Sequence, residues 1–181
     1  MELLLSRASA SELGEPGPSE ADLRLILEAA MRAPDHGKLR PWRFFVIRGE
    51  ARAKLSELFA ASLLRREPNA LRGQIEKERG KPFRSPVTIA VVARVVEGLK
   101  IPAIEQVLSA GAAAMNILNA AHALGFGAKW VTGANCYDAH FRTAFGLEPD
   151  DRLLGFIHLG TIGAQVETIR PDANAFVTEW E

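Results

Sequence analysis

The apolar residues of this chain change period several times, and each change predicts an element. A short helix is expected at residues 2–6, after which Gly14, Pro16, Gly17 and Pro18 enforce a turn. Ser19, with Asp22 three positions on, marks a helix start. Leu23, Ile26, Leu27, Ala30 and Met31 follow at helical spacing until Pro34. Phe44-Phe45-Val46-Ile47 is a run of β-formers, and helical spacing resumes through Ala53, Leu55, Leu58, Phe59 and Leu63. Residues 68–86 are charged with few apolar positions, which predicts a solvated helix and then a mobile loop placed to act as a lid.

The second half is more apolar. Residues 87–93, Val-Thr-Ile-Ala-Val-Val-Ala, lack the alternation of a one-sided strand and are expected at the centre of a sheet covered on both faces. Pro102 opens a helix expected to run to Leu124. Its polar residues Glu105, Ser109, Asn116 and Asn119 fall on one narrow line, so near-complete burial is expected, by its own domain or by a partner. The small residues at 110–114 allow close approach, and homodimerisation along this helix is the preferred explanation. Gly125-Phe126-Gly127 stops the helix. Strands are expected at 128–132 and 153–159, with a helix at 137–145 between them. In the tail, Phe176, Val177 and Trp180 need cover that a neighbouring subunit would provide. The class expected is α+β: a mixed sheet flanked by helices, with a long buried central helix, in one domain over residues 1–181.

Charge and cysteine content narrow the function classes. With 22 basic and 22 acidic residues, no global field favours nucleic acid or an anionic membrane. Cys136 is the single cysteine and has no internal disulfide partner, and no C-x-x-C or H-E-x-x-H spacing offers a metal site, which fits a reducing cytoplasm. The N-terminus lacks the basic start and apolar length of a signal peptide. The apolar stretch 107–126 is broken by Ser109, Asn116, Asn119 and His122, so neither export nor a membrane span is expected. A Rossmann fingerprint, a Walker sequence and a nucleophile elbow are all absent.

Local charge tells more. Residues 33–47 read Ala-Pro-Asp-His-Gly-Lys-Leu-Arg-Pro-Trp-Arg-Phe-Phe-Val-Ile, which sets His36, Lys38, Arg40 and Arg43 beside Trp42 on a loop that runs straight into a strand. Such a loop suits a flat, anionic, phosphorylated ligand, and flavin mononucleotide (FMN) is one. Arg7 and Ser9, where a helix gives way to irregular chain, add a guanidinium able to grip phosphate bidentately and a hydroxyl donor. Each residue also has a plain structural reading: Arg7 as a solvated arginine, His36 as a helix-end hydrogen-bonding group, Trp42 as core filler and Cys136 as a small buried side chain.

Arg7-Ala8-Ser9-Ala10-Ser11, Met31-Arg32-Ala33-Pro34-Asp35-His36, Pro41-Trp42-Arg43-Phe44-Phe45-Val46, Glu105-Gln106 with Ser109-Ala110-Gly111, and Gly125-Phe126-Gly127 with Trp130 and Gly133 follow in this order. With these motifs the whole chain resembles the nitroreductase superfamily of flavoenzymes. The resemblance implies that Arg7, Ala8, Ser9 and Ser11 meet the FMN phosphate, ribityl chain and pyrimidine edge. It also implies that Arg32 and His36 reach the flavin from the opposite subunit. Arg40 stands where relatives commonly carry glutamine, and its charge would fall near the flavin N1 and C2=O or toward phosphate. Ala8 is a second departure, replacing a polar or basic residue. Trp130, Val131, Thr132 and Gly133 would bring backbone donors to N5 and O4, and Ala121, His122, Ala123, Leu124 and Gly125 match a segment associated with NAD(P)H.

The implied protein is an intertwined homodimer: an FMN-dependent NAD(P)H oxidoreductase that reduces nitroaromatics, quinones or similar small electrophiles by ping-pong hydride transfer. No catalytic side chain is required, because flavin N5 carries the hydride. Two alternatives stay open. One is a flavoenzyme of the same fold acting on an activated carbonyl or a dehydrogenation substrate; the other is a flavin-binding protein without turnover.

Overall fold

The strand without alternation becomes the middle of the sheet. A computed structural model describes residues 1–164 and 168–180. In it β3 (Val87–Arg94) pairs with β2 (Trp42–Arg48) on one side and with β5 (Asp151–Ile162) on the other. β5 in turn carries β4 (Gly127–Val131) on its far edge and the two-residue β1 (Leu13–Gly14) at its end. All pairings among the described residues are antiparallel. β1 falls where only a turn was expected, because two residues carry no period to read.

Helices cover both faces. On one, Leu23, Ile26 and Ala30 of α2 (Glu20–Ala30) and Ala113, Ala114, Ile117 and Ala121 of α5 (Ala103–Ala123) pack on Ile89, Val91, Ile157 and Leu159. On the other, Leu55 and Phe59 of α3 (Ala51–Arg66) and Phe141 of α7 (Ala139–Ala144) pack on Ala90, Val92 and Phe156. The N-terminus of α2 is closed as its sequence predicts, with Ser19 and Asp22 each accepting the other's backbone N–H in a capping box. α2 ends at Ala30, four residues before Pro34, so the proline lies in the following loop.

Residues 68–86 hold the expected solvated helix, α4 (Arg72–Gly80), none of whose residues is buried, but the mobile lid expected after it is overturned: the chain runs on into a 3₁₀ turn (Lys81–Phe83) packed against α3. Ser56 Oγ donates to the Arg79 carbonyl at 2.9 Å, Arg79 pairs with Glu57 at 3.1 Å, and Pro82 and Ser85 are buried. Arg79 pairs with Glu57 and Glu76 and Lys81 with Glu78, contacts that composition alone does not distinguish from solvated charge. α5 is covered by its own chain on one side only. Its polar line faces inward, with Ser109 Oγ donating to the Pro34 carbonyl (2.6 Å) and Asn116 Nδ2 to the Ala29 carbonyl (3.1 Å). The outward stripe is apolar: Ile104, Leu108 and Met115 are 60%, 63% and 40% exposed.

A bulge shapes β5. Val91 faces Gly155 and Val92 faces Leu153, so Leu154 is left over, and its freed carbonyl accepts the indole N–H of Trp130 at 3.1 Å. Gly155 has φ +138°, and a Cβ there would lie 2.6 Å from the Val131 carbonyl oxygen, so only glycine fits.

His158, opposite Thr88 in the ladder, is buried, with Nδ1 at 2.9 Å from Ser85 Oγ and 3.1 Å from Thr88 Oγ1. Burial first, then the charges of Arg84 and Lys129, lower its pKa to about 4. The unfolded chain takes up this proton below about pH 6.5 and the folded one does not, so stability is full above that pH and falls on acidification. The loss contributed by this group approaches about 3 kcal/mol once the pH passes below 4. Urea titrations at pH 7 and 4.5 should show a drop in unfolding free energy that is smaller by about 2 kcal/mol in His158→Gln. Equal drops in the two proteins would refute the assignment.

Candidate functional site

At the C-terminal end of α5 the first residues of the chain fold back over the sheet. α1 (Glu2–Ser6) is tied to α5 by a 2.9 Å hydrogen bond between Ser6 Oγ and His122 Nε2, and Ala10 N–H donates to the Ala128 carbonyl at 3.1 Å. Between these contacts lies a cavity of about 570 Å³ whose wall includes Arg7, Ala8, Ser9, His122, Gly127 and Ala128. Close approach depends on Gly127, where a Cβ would meet Leu13 Cδ2 at 2.6 Å. Arg7 Nη1 is buried without an acceptor among the described residues. Arg170, which sequence reading did not single out, donates to the Arg7 carbonyl at 3.1 Å and brings a second guanidinium to the place. No carboxylate lines the cavity among the described residues. A donor-rich, acid-free cavity with an orphaned guanidinium nitrogen fits an anionic group such as a phosphate.

Arg32, His36 and Arg40 lie elsewhere, in the loop before β2. His36 Nδ1 is 2.6 Å from Glu105, in the first turn of α5. Glu105 and His122 are 17 positions apart on one helix, about 25 Å along its axis. The loop is strained and tightly held. Gly37, Lys38 and Arg40 have φ of 72°, 55° and 50°. The Asp35 carboxylate accepts from Leu39 N–H (3.1 Å) and Arg40 N–H (2.8 Å), and Arg43 donates to the Arg40 and Trp42 carbonyls. Trp42 packs into the core, as its plain reading had it.

The third group stands at the far end of β4, about 14 Å along the strand from Gly127. Val131, Thr132 and Gly133 border a second cavity, of about 100 Å³, together with Arg66, Arg84, Asn135 and the ion-paired Glu78 and Lys81. Asn135 is buried and its Oδ1 has no partner among the described residues. Trp130 spends its N–H on Leu154 and so anchors the strand. Cys136 is buried, and burial pushes its thiol pKa up, as suits a packing residue. Ala121 to Gly125 form the end of α5, where Phe126 N–H donates to the Ala121 carbonyl and Gly125 takes φ +82°. Of these five only His122 reaches the first cavity, and Ser11 does not line it. Lys81, Arg84 and Asn135 escaped sequence reading because they stand in different segments without motif spacing.

Thus a single antiparallel sheet with helices on both faces, and a donor-rich, acid-free cavity at one end of one long helix, define an α+β protein with a candidate anion site. The sequence model of the Nitroreductase family matches residues 5–161, and the chain belongs to that family. It is 43% identical over 180 residues to the "Putative NAD(P)H nitroreductase YdjA" of Escherichia coli (strain K12), covering 98% of this chain and 97% of the relative. Among solved structures it is similar to a nitroreductase-like family protein from Bacillus cereus, with a TM-score of 0.86 and 25% identity over 99% of this chain and 95% of that one. It is similar also to a "putative nitroreductase in complex with fmn" from Desulfovibrio desulfuricans, with a TM-score of 0.76 and 27% identity over 99% and 95% of the two chains.

Proposed function

We propose that the chain is an FMN-dependent NAD(P)H oxidoreductase, one domain working as a cytoplasmic homodimer with two equivalent sites at the subunit interface. The observation that carries this reading is the separation of the site residues. Arg7 and Ser9 sit at one end of α5 and His36 at the other, too far apart for one mononucleotide. Antiparallel pairing of two α5 helices about a two-fold axis sets each end against the opposite end of its partner. The stripe Ile104, Leu108 and Met115 supplies the apolar surface for it, and Gly111 between them leaves open space where a Cβ would stand. The exposed Phe176, Val177 and Trp180 are further apolar surface for a partner to cover.

Arg7, Ser9 and Arg170 would hold the FMN phosphate and ribityl chain, and the backbone of Thr132 and Gly133 would meet the flavin. When bound, FMN supplies a hydride acceptor that NAD(P)H reduces and a small electrophile, nitroaromatic or quinone, reoxidises. The chain itself binds and orients. Glu105 fixes the His36 ring through Nδ1 and leaves Nε2 as its free nitrogen. Within the second cavity Lys81 is paired with Glu78, and Arg84 puts positive charge beside the Thr132–Gly133 backbone, where it favours electron density at the pyrimidine edge. One open face serves donor and acceptor in turn, which gives ping-pong kinetics.

The purified protein should be yellow, and NADH or NADPH should bleach it anaerobically; persistent oxidised-flavin absorbance with both donors would rule out turnover. Arg7→Ala should weaken FMN affinity about ten- to hundredfold in an equilibrium titration, the loss of one charge-assisted contact. Leu108→Glu should elute as a monomer on gel filtration and emerge colourless. A monomer that keeps its flavin would sink the interface reading.

A further inference from the structure

We propose that Lys38 and Arg40 form a clamp for a phosphate group of the nicotinamide dinucleotide that delivers the hydride. This rests on the interface reading above, which brings the loop carrying His36 to the rim of the partner's site. Left-handed backbone at two residues with side chains costs about 1–3 kcal/mol each and persists only where the surroundings enforce it. Here they do. Besides the Asp35 and Arg43 hydrogen bonds, Ser109 grips the Pro34 carbonyl, Arg94 N–H donates to the Pro41 carbonyl at 2.6 Å, and Ile101 closes on Gly37, whose added Cβ would lie 2.2 Å from Ile101 Cδ1.

The strain serves no internal contact of the two cations, because neither Lys38 nor Arg40 pairs with a carboxylate among the described residues. The nearby acids are committed: Asp35 to backbone N–H groups and Glu105 to His36. Nor does the flavin phosphate call for them, since in the reading above it is met by Arg7, which lines the cavity at the other end of α5 and whose carbonyl accepts from Arg170. What remains is a rigid pair of exposed charges beside a site whose second ligand is a dinucleotide bearing a pyrophosphate and, in NADPH, a 2′-phosphomonoester. Fixed cations on a preorganised loop favour such a group with little ordering cost.

Calorimetry on the FMN-loaded protein with adenosine 2′,5′-bisphosphate and with ADP, and KM for NADPH and NADH, test this in Lys38→Ala and Arg40→Gln. A roughly tenfold loss confined to the 2′-phosphorylated ligands supports the clamp and assigns it to the 2′-phosphate; equal losses for both ligands support it and assign it to the adenosine 5′-phosphate of the dinucleotide bridge. Values within twofold of the parent for every ligand overturn it, and so does release of FMN by Arg40→Gln with donor binding unchanged in Lys38→Ala. If the parent is not bleached by either donor, the proposed function fails, while binding of the two adenosine probes still reads the clamp.

Discussion

The hydrogen bonds along the inward line of α5 fix the geometry on which the rest depends. Ser109 and Glu105 tie the loop of residues 33–40 to the start of this helix, and His122 ties the N-terminal segment to its end. A helix is stiff at this length, so the two binding segments are held at a set distance and orientation whatever the remaining loops do. The core on its other side, from Ala113 to Ala121 against Ile89 and Ile157, locks the rod to the sheet. Binding groups and fold therefore share one support.

Much of this was legible in the sequence because it depends on period and on local chemistry. The β-formers at 44–47, the unbroken apolar run at 87–93 and the Ser19-Asp22 cap need no distant partner to declare themselves. The orientation of α5 did not declare itself, because a polar residue on a helix looks the same whether it faces water or a carbonyl such as that of Pro34. For the same reason the end of the charged segment 68–86 read as loose, when Arg79 pairs across to Glu57 of α3 and Lys81 to Glu78. Of the candidate site, the proposed Arg7, His36 and Gly133 motifs stand in the sequence as short patterns. Arg170, Lys81, Arg84 and Asn135 do not, since only the folded chain brings them near.

Trp130 shows how a residue in a binding motif acquires its role from its support. The extra residue in β5 releases the Leu154 carbonyl, the indole takes it, and the adjoining Thr132–Gly133 backbone is held at the strand end. Gly155 is the condition for that arrangement, for any side chain would strike the Val131 carbonyl. The bulge thus sets the position of the backbone donors more directly than the motif that contains them.

The outward face of α5 has one more consequence. A lone chain must leave Ile104, Leu108 and Met115 in water, and burying them against a second copy makes association part of the folding equilibrium. In the homodimer proposed above, mass action would govern resistance to heat and denaturant: dilution would weaken the protein, and a crowded supply of newly made chains would strengthen it. Cofactor retention would follow the same dependence, because in that assembly each pocket is completed by its neighbour.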